Sequence, residues 1–226
     1  METVVITGAN RGIGLALTRR FLQAGTRVIA TCREPGTFDF SDDRSNLDVV
    51  KLDVTDGEAV SRFVSDLSGE VVDVLLNNAG VIGGDTQNVD DVDYDAWREA
   101  FEVNTLAPFR LAVALRANLR RSARPRVVTI SSQMGSLERK SGTGNYAYRG
   151  SKAAANKVMQ ALALDFQGDG IVVCPVHPGW VRTDMGGPSA EISAEDSASG
   201  LFDLIKSLTI GDTGQFWTWE GKRHPW

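Results

Sequence analysis

The chain has 226 residues, of which 42% are hydrophobic and 23% charged, and its 24 Lys and Arg stand against 29 Asp and Glu for a net charge of −5. This composition is ordinary for a globular protein and excludes a collagen-like, coiled-coil or largely disordered chain. An acidic chain without a basic run argues against nucleic acid or an anionic membrane as a partner.

Short apolar runs alternate with helix-like stretches from the first residues onward. Val4–Ile6 is followed by a glycine-rich turn and then by Ile13–Leu22, in which Ile13, Leu17 and Phe21 share one helical face. The remaining predicted strands are Arg27–Thr31, Leu47–Leu52, Val72–Leu76, Arg126–Ile130 and Ile171–Val176, with a seventh suggested at Gln215–Trp219. The remaining predicted helices are Glu58–Leu67, Trp97–Arg120 and Asn145–Phe166.

Near-continuous apolar strands separated by helices are typical of a parallel sheet that is covered on both faces. We therefore predict an α/β fold, a single doubly wound Rossmann-type domain over residues 1–226 with a mostly parallel seven-stranded sheet. Ligands bind at the carboxyl ends of such strands, so the loops that follow them should border the site.

The two cysteines and the absence of a long apolar run bear on disulfides, metal sites and cellular location. Cys32 and Cys174 fall in separate predicted strands on opposite sides of the first strand, so we expect them not to pair. Their spacing matches no metal site, and we expect no metal. No stretch reaches the roughly 20 apolar residues that span a bilayer, and no secretory leader is recognisable, so we expect a cytoplasmic location.

The first predicted strand runs into Thr7–Gly14, which has the pattern G-x-x-x-G-x-G before a helix. Glycines let the backbone approach a pyrophosphate, and a helix N-terminus offers free N–H groups and partial positive charge. The spacing is neither that of a phosphate-binding loop nor G-x-G-x-x-G. Taken alone, the turn predicts a nucleotide site or only a tight structural turn.

A tyrosine and a lysine four residues apart, Tyr148 and Lys152, share one face of a predicted helix. A phenol with a pKa near 10 is a poor acid–base catalyst at neutral pH, and we expect the nearby ammonium to lower that pKa. Such a phenol could protonate a carbonyl oxygen or deprotonate an alcohol. The alternative is an ordinary surface pair. Tyr146 lacks the lysine, because its i+4 residue is Gly150.

Further motifs follow the later strands in a fixed order. They are Asn77-Asn78-Ala79-Gly80, a helical Asn104, Ser131-Ser132, Tyr148 with Lys152, and Pro178-Gly179. With the glycine turn, this order resembles the short-chain dehydrogenase/reductase family along the whole chain. The stretches Tyr146–Lys152 and His177–Gly187 look like its C-factor and sniffer subgroup, which includes carbonyl reductases and a bacterial developmental signalling protein.

The resemblance implies a catalytic set of Asn104, Ser132, Tyr148 and Lys152. Ser132 would hold the substrate oxygen, with Ser131 as the structural alternative on the opposite face of the strand. Asn104 would hold a water that joins Lys152 to solvent, or is only a buried core amide. Lys152 would also bind the nicotinamide ribose.

The resemblance also implies a nicotinamide cofactor. The NAD enzymes of the family carry an acid at the end of the second strand, where this chain has Cys32 followed by Arg33. With Arg11 nearby, this pattern favours the 2′-phosphate of NADP(H) over NAD(H), although Glu34 could bind a 2′-hydroxyl. Asp53 would contact the adenine, or only cap a helix. The implied cofactor-binding residues are Gly8, Asn10, Arg11, Gly12, Ile13, Gly14, Arg33, Asp53, Val54, Asn78, Ala79, Gly80, Tyr148, Lys152, Pro178, Gly179, Val181 and Thr183.

The expected function is NADP(H)-dependent interconversion of a ketone or aldehyde with an alcohol. The alternative is a nucleotide-binding signalling or regulatory protein of the C-factor type with little turnover. The resemblance further implies a homodimer or homotetramer formed through the Asn104 and Tyr148 helices. The segments 33–46 and 185–199 are short for the family, which predicts a shrunken helix, a small lid and a permissive pocket.

Overall fold

The computed structural model of the protein describes residues 1–38, 45–85, 87–139 and 142–226. Its strands are β1 Thr3–Thr7, β2 Arg27–Cys32, β3 Leu47–Lys51, β4 Val74–Asn77, β5 Gln87–Asn88, β6 Asp91–Val92, β7 Arg126–Ile130, β8 Val172–His177 and β9 Trp217–Thr218. Its α-helices are α1 Gly12–Gln23, α2 Gly57–Asp66, α3 Tyr94–Phe101, α4 Ala107–Ala114, α5 Arg116–Leu119, α6 Tyr146–Gln167 and α7 Ala194–Ser207.

Seven of these strands form one sheet in the order β3-β2-β1-β4-β7-β8-β9, and each pair of neighbours runs parallel. This confirms the predicted doubly wound α/β fold, including the short last strand. The chain moves outward from β1 in one direction to β3 and then crosses to β4 on the other side. The loops after β1 and β4 therefore flank a topological switch point, where such sheets bind ligands.

Each face of the sheet buries its own apolar layer. Side chains alternate along β1, so Val4 and Ile6 pack with α1 and α7, while Val5 packs with α2, α4 and α6. The periodicity predicted for α1 is confirmed, since Leu17 and Phe21 are fully buried in the first of these layers. Helices thus pack on both faces of the sheet, and the candidate site is built on the carboxyl ends of its strands.

The predicted single helix over Trp97–Arg120 is wrong in detail. Helix α3 begins at Tyr94, a π turn occupies Glu102–Leu106, and α4 and α5 follow with a break at Leu115. A π turn is rare and inserts one extra residue into the helical repeat over a single turn, which is too short a departure for the apolar pattern of the sequence to identify. Such turns are frequent at functional sites, and this one contains Asn104.

The helix expected to be shrunken in the segment 33–46 is reduced to one short turn in the residues that the structure describes. After β2 the chain makes a single 3-10 turn at Pro35–Thr37, whereas 39–44 lie outside the described residues. Both cysteines are buried and unpaired, on strands that lie on opposite sides of β1, as predicted. Among the described residues, no helix has the length and apolarity to cross a membrane.

Candidate active site

The turn between β1 and α1 is locked against the segment that follows β4. Thr7 Oγ1 accepts hydrogen bonds from the backbone N–H groups of Asn78 and Ala79, both at 3.0 Å. Asn78 Nδ2 donates in return to the carbonyl oxygens of Thr7 and Gly8 at 2.9 and 3.0 Å. Gly8 has φ 62° and lies so close that an added Cβ would be 2.9 Å from Ala79 Cα. The turn is therefore fixed from two strands at once.

Helix α1 begins without a side-chain cap. Its N-cap residue, Arg11, makes no capping bond, and its first turn carries no acid. By contrast, Asp56, Asp93 and Ser193 cap α2, α3 and α7 with side-chain oxygens. An uncapped helix start leaves N–H groups and the positive end of the helix dipole for an anion. This observation fits a dinucleotide pyrophosphate at Gly12, Ile13 and Gly14.

The loop after β8 closes one side of this turn. A Cβ on Gly12, which has φ 53°, would lie 3.1 Å from the methyl group of Thr183. Arg11 forms an exposed ion pair with Asp184 at 2.6 Å. Val181 is buried, and Gly179 has φ 90°. The Pro178 carbonyl accepts from Ser197 Oγ at 2.7 Å.

The residues predicted for the adenine end lie along the carboxyl ends of β2 and β3. Asn10 Nδ2 donates to Thr37 Oγ1 at 3.0 Å, and Arg33 is exposed. Asp53 accepts from the N–H and hydroxyl of Thr55, which lower the pKa of its carboxyl together with the more distant charge of Arg33. Asp56, rather than Asp53, caps α2, so the capping alternative for Asp53 is wrong. Val54 is half-buried beside it.

Tyr148 and Ser132 are brought together at the carboxyl end of β7. Tyr148 is half-buried, and its phenol faces the Ser132 side chain, whose proximity acts to lower the pKa of the hydroxyl. Ser132 is buried, and its Oγ also accepts from Met134 N–H at 3.1 Å. Ser131 points the other way and donates to Asn156 Oδ1 on α6 at 2.5 Å. Strand alternation thus separates the two serines as expected.

Lys152 is a buried cation one turn beyond Tyr148. It is 4% exposed, and its Nζ donates to the carbonyl oxygen of Ile130 at 2.8 Å. Burial lowers the pKa of this ammonium to about 8. Within the described residues it has no carboxylate at ion-pair distance. Its Nζ lies 5.7 Å from the centre of the Tyr148 ring.

The expected lowering of the phenol pKa is contradicted. Burial raises the pKa of Tyr148, and only the bond to Ser132 acts in the opposite direction. The physical reason is distance and dehydration: the ammonium donates to Ile130 rather than to the phenol oxygen, while the enclosed phenolate would lose its hydration. In the free protein the phenol of Tyr148 is therefore neutral at physiological pH.

Asn104 is a buried amide in the π turn, bound to the loop after β4. Its Oδ1 accepts from Val81 N–H at 2.9 Å, and its Nδ2 donates to Val81 O at 2.8 Å and Ser151 Oγ at 3.0 Å. A Cβ on Gly80 would lie 3.1 Å from Asn104 Oδ1 and 3.5 Å from Lys152 Nζ. Asn104, Gly80 and Lys152 thus border one small space. The amide holds the loop after β4 through Val81 and ties it to α6 through Ser151.

Sequence reasoning missed one polar side chain in this region, Gln87. It is buried, and its carboxamide contacts the first turn of α6, which carries Tyr148. No local motif could have identified it, because its partners on α6 are 60 and 61 residues away along the chain. Among the described residues, no group of three or more His, Cys, Asp or Glu is arranged to hold a metal.

Comparisons with known proteins agree with this geometry. The family model described as short chain dehydrogenase matches residues 2–193. The C-signal of Myxococcus xanthus is 41% identical over 164 residues, which cover 73% of this chain and 98% of that protein. The carbonyl reductase Sniffer of D. melanogaster has a TM-score of 0.94 and 29% identity, with 100% of both chains covered. The NADPH-bound carbonyl reductase from chicken fatty liver has a TM-score of 0.90 and 30% identity, covering 100% of this chain and 99% of that one.

Proposed function

The chain belongs to the short chain dehydrogenase family, and from this premise we propose that it is an NADP(H)-dependent carbonyl reductase or alcohol dehydrogenase. The observation that carries the proposal is that buried Ser132 and buried Lys152 meet the Tyr148 phenol at the carboxyl edge of the sheet, with Lys152 Nζ 5.7 Å from the centre of its ring. The substrate is a ketone or aldehyde in one direction and the corresponding alcohol in the other.

The cofactor site fits a phosphorylated dinucleotide. The uncapped α1 N-terminus binds the pyrophosphate through Gly12, Ile13 and Gly14, next to the tight turn at Gly8. Asp53 and Val54 border the adenine. The nicotinamide end takes its contacts from Asn78, Ala79, Gly80, Pro178, Gly179, Val181 and Thr183, and Lys152 binds its ribose.

NADP(H) is preferred over NAD(H) in this proposal. Arg33 is exposed directly after β2, and Asn10 and Arg11 lie at the start of the helix that faces the same edge. Guanidinium groups bind a 2′-phosphate strongly, and the chicken carbonyl reductase to which this chain is similar was crystallised with NADPH. Glu34 opposes the preference, because its carboxylate would repel that phosphate. A measured preference for NADH would refute this part of the proposal.

The chain's own residues supply binding and proton transfer. When bound, NADPH provides the hydride for the carbonyl carbon. Ser132 Oγ and Tyr148 Oη converge on the carbonyl oxygen, and Tyr148 donates its proton to that oxygen as the alcohol forms. In the oxidative direction Tyr148 takes the proton back. Lys152 and Asn104 border the space through which the tyrosine is reprotonated.

Tyr148→Phe tests this assignment, with Tyr146→Phe as a matched control on the same helix turn. The first variant lacks the transferable proton, so we expect kcat for carbonyl reduction to fall by at least about 100-fold. NADPH affinity should stay within about twofold, since the ring remains in place. Tyr146→Phe should retain full activity. The measurement is the loss of NADPH absorbance with a panel of ketones, aldehydes and quinones. Full activity of Tyr148→Phe would contradict the proposal.

A second function is favoured by the similarity to the C-signal of Myxococcus xanthus. In this alternative the protein binds the dinucleotide as a signalling or regulatory module and turns over little substrate. The same panel separates the two functions. Tight NADPH binding without turnover of any carbonyl would favour the alternative.

A further inference from the structure

Helix α6 begins in an unusual way. Its N-cap residue, Asn145, has φ 51° and ψ 40°, and it is the only non-glycine residue of the described ranges with positive φ. An N-cap side chain reaches its helix from extended backbone, and Asn145 makes no side-chain capping bond. The first N–H groups of the helix that carries Tyr148 therefore need another acceptor.

Gln87 provides that acceptor from a distant part of the chain. Its Oε1 accepts from the backbone N–H of Ala147 at 2.9 Å and of Tyr148 at 3.3 Å. Its own carbonyl oxygen accepts from Asn145 N–H at 3.0 Å. A single residue of β5 thus receives three N–H groups at the start of α6, one of them the tyrosine's own.

The other end of the same carboxamide holds the loop after β4. Gln87 Nε2 donates to the carbonyl oxygens of Ile82 at 2.8 Å and Gly84 at 3.2 Å. Both amide hydrogens and the amide oxygen are therefore used, and the side chain is only 8% exposed. If Gln87 only filled space, an apolar side chain would serve as well, and its polar atoms would not all need hydrogen-bond partners.

We propose that Gln87 is a positioning residue for the reaction, because its carboxamide fixes the first turn of α6 and hence the Tyr148 hydroxyl against Ser132. This inference rests on the proposed function, in which that hydroxyl is the proton donor. Misplacement by about 1 Å can cost a factor of about 100 in rate, so a loosened first turn would lower kcat. Among the described residues, no hydrogen bond of Gln87 reaches the glycine turn at α1, and NADPH binding should be preserved.

Two substitutions separate the contacts of the carboxamide. Gln87→Met keeps the length of the side chain and removes both acceptor and donors. In Gln87→Glu the buried carboxyl faces two carbonyl oxygens and is expected to be protonated, so it keeps an acceptor toward Ala147 and Tyr148 and one donor toward Ile82 or Gly84. We expect Gln87→Met to lower kcat about tenfold with NADPH affinity within about twofold. We expect Gln87→Glu to retain kcat within about threefold.

Asp56→Ala provides the matched control, since it removes the cap of α2, a helix with no residue in the proposed site. It should leave kcat unchanged, which separates a positioning effect from general loss of a cap. Circular dichroism verifies that each variant is folded. Amide hydrogen exchange at Ala147 and Tyr148 gives a readout independent of activity: protection should fall in Gln87→Met and persist in Gln87→Glu.

Four results would contradict or limit the positioning role of Gln87. Unchanged kcat in Gln87→Met, or equal losses in both Gln87 variants, would overturn it, because the acceptor contact would then not matter. Unchanged exchange in Gln87→Met would overturn it as well. If the wild-type protein reduces no carbonyl, the proposed function fails and the positioning role of Gln87 in the reaction fails with it, whereas the exchange data still establish whether Gln87 caps α6.

Discussion

The buried ammonium of Lys152 has a direct thermodynamic consequence at the scale of single residues. Its pKa is about 8 in the folded protein and 10.5 ordinarily, because burial penalises the charged form. Between these pH values the unfolded chain binds more protons than the folded protein. The free energy of unfolding therefore gains a contribution that rises with pH across this window and is flat below it.

Lys152→Met should remove that contribution. We expect the wild-type free energy of unfolding to rise relative to that of the variant by about 1–2 kcal/mol between pH 8 and pH 10. Taking the difference cancels other groups, such as the thiol of Cys174, whose pKa burial raises to about 12. Urea unfolding of both proteins at the two pH values measures it. Parallel pH profiles would show that the ammonium is not buried as described.

Arg33 should set the choice between the two dinucleotides. Each charge-assisted hydrogen bond to a 2′-phosphate is worth about 1.5–3 kcal/mol, so we expect Arg33→Ala to weaken NADPH binding about tenfold or more. NADH binding should change by less than about twofold. Calorimetric titration at one ionic strength measures both affinities, with Arg62→Ala on α2 as the exposed-arginine control. Equal weakening of both dinucleotides would contradict the role.

Among the structural elements, the β1–α1 turn has little room for added volume. A Cβ on Gly14 would lie 2.3 Å from the Gly8 carbonyl oxygen and 2.5 Å from Asn78 Nδ2. We expect Gly14→Ala to lower the free energy of unfolding by about 1–3 kcal/mol and to weaken NADPH binding, because the turn must open. Denaturant unfolding measures the free energy of unfolding, and a titration followed by intrinsic protein fluorescence measures the affinity for NADPH.

Gly57→Ala is the control for that prediction. Gly57 is the first residue of α2, and a Cβ there meets no atom of another part of the protein within 4 Å. The change should be neutral or stabilising by up to about 1 kcal/mol, since alanine restricts the unfolded chain. A loss at Gly57 as large as that at Gly14 would mean that helix-start glycines matter for reasons other than space.

Some elements of the fold and the site could be predicted from the sequence, and others could not. Strands such as Val4–Ile6 and Arg126–Ile130 were predictable, because a parallel strand buried on both faces must be apolar throughout. Tyr148, Ser132 and Lys152 were predictable as a group from their motifs. The π turn around Asn104, the cap from Gln87 and the raised pKa of Tyr148 were not. Each of these depends on distances between segments that the sequence does not encode locally.

For the molecule as a whole, an apolar stripe on α4 and the π turn before it remains uncovered. Leu106, Phe109 and Val113 are 49%, 42% and 44% exposed and fall on one helical face. We expect this face to pair with a second copy of the chain, as the family resemblance implies. Scattered single apolar residues need no such explanation, but a stripe of this kind does.

Phe109→Glu should therefore convert an oligomer into a monomer. A carboxylate at the centre of an apolar interface cannot be hydrated there, so assembly should weaken by at least about 100-fold. Light scattering over a concentration series measures the mass of the particle. Ile210→Glu changes an equally exposed residue elsewhere, 45% exposed, and should leave the mass unchanged. A wild-type protein that stays monomeric at high concentration would contradict the expectation.

The strand order also determines when each strand can pair with its neighbours while the chain is being synthesised. When β4 leaves the ribosome it can join β1, but its other edge has no neighbour until β7 follows, after the residues between Asn77 and Arg126 have been made. At about 5–20 residues per second this interval lasts seconds, and an unpaired apolar edge invites aggregation. The nucleotide half of the sheet is thus complete before Ser132, Tyr148 and Lys152 exist, and chaperone dependence should be greatest in that interval.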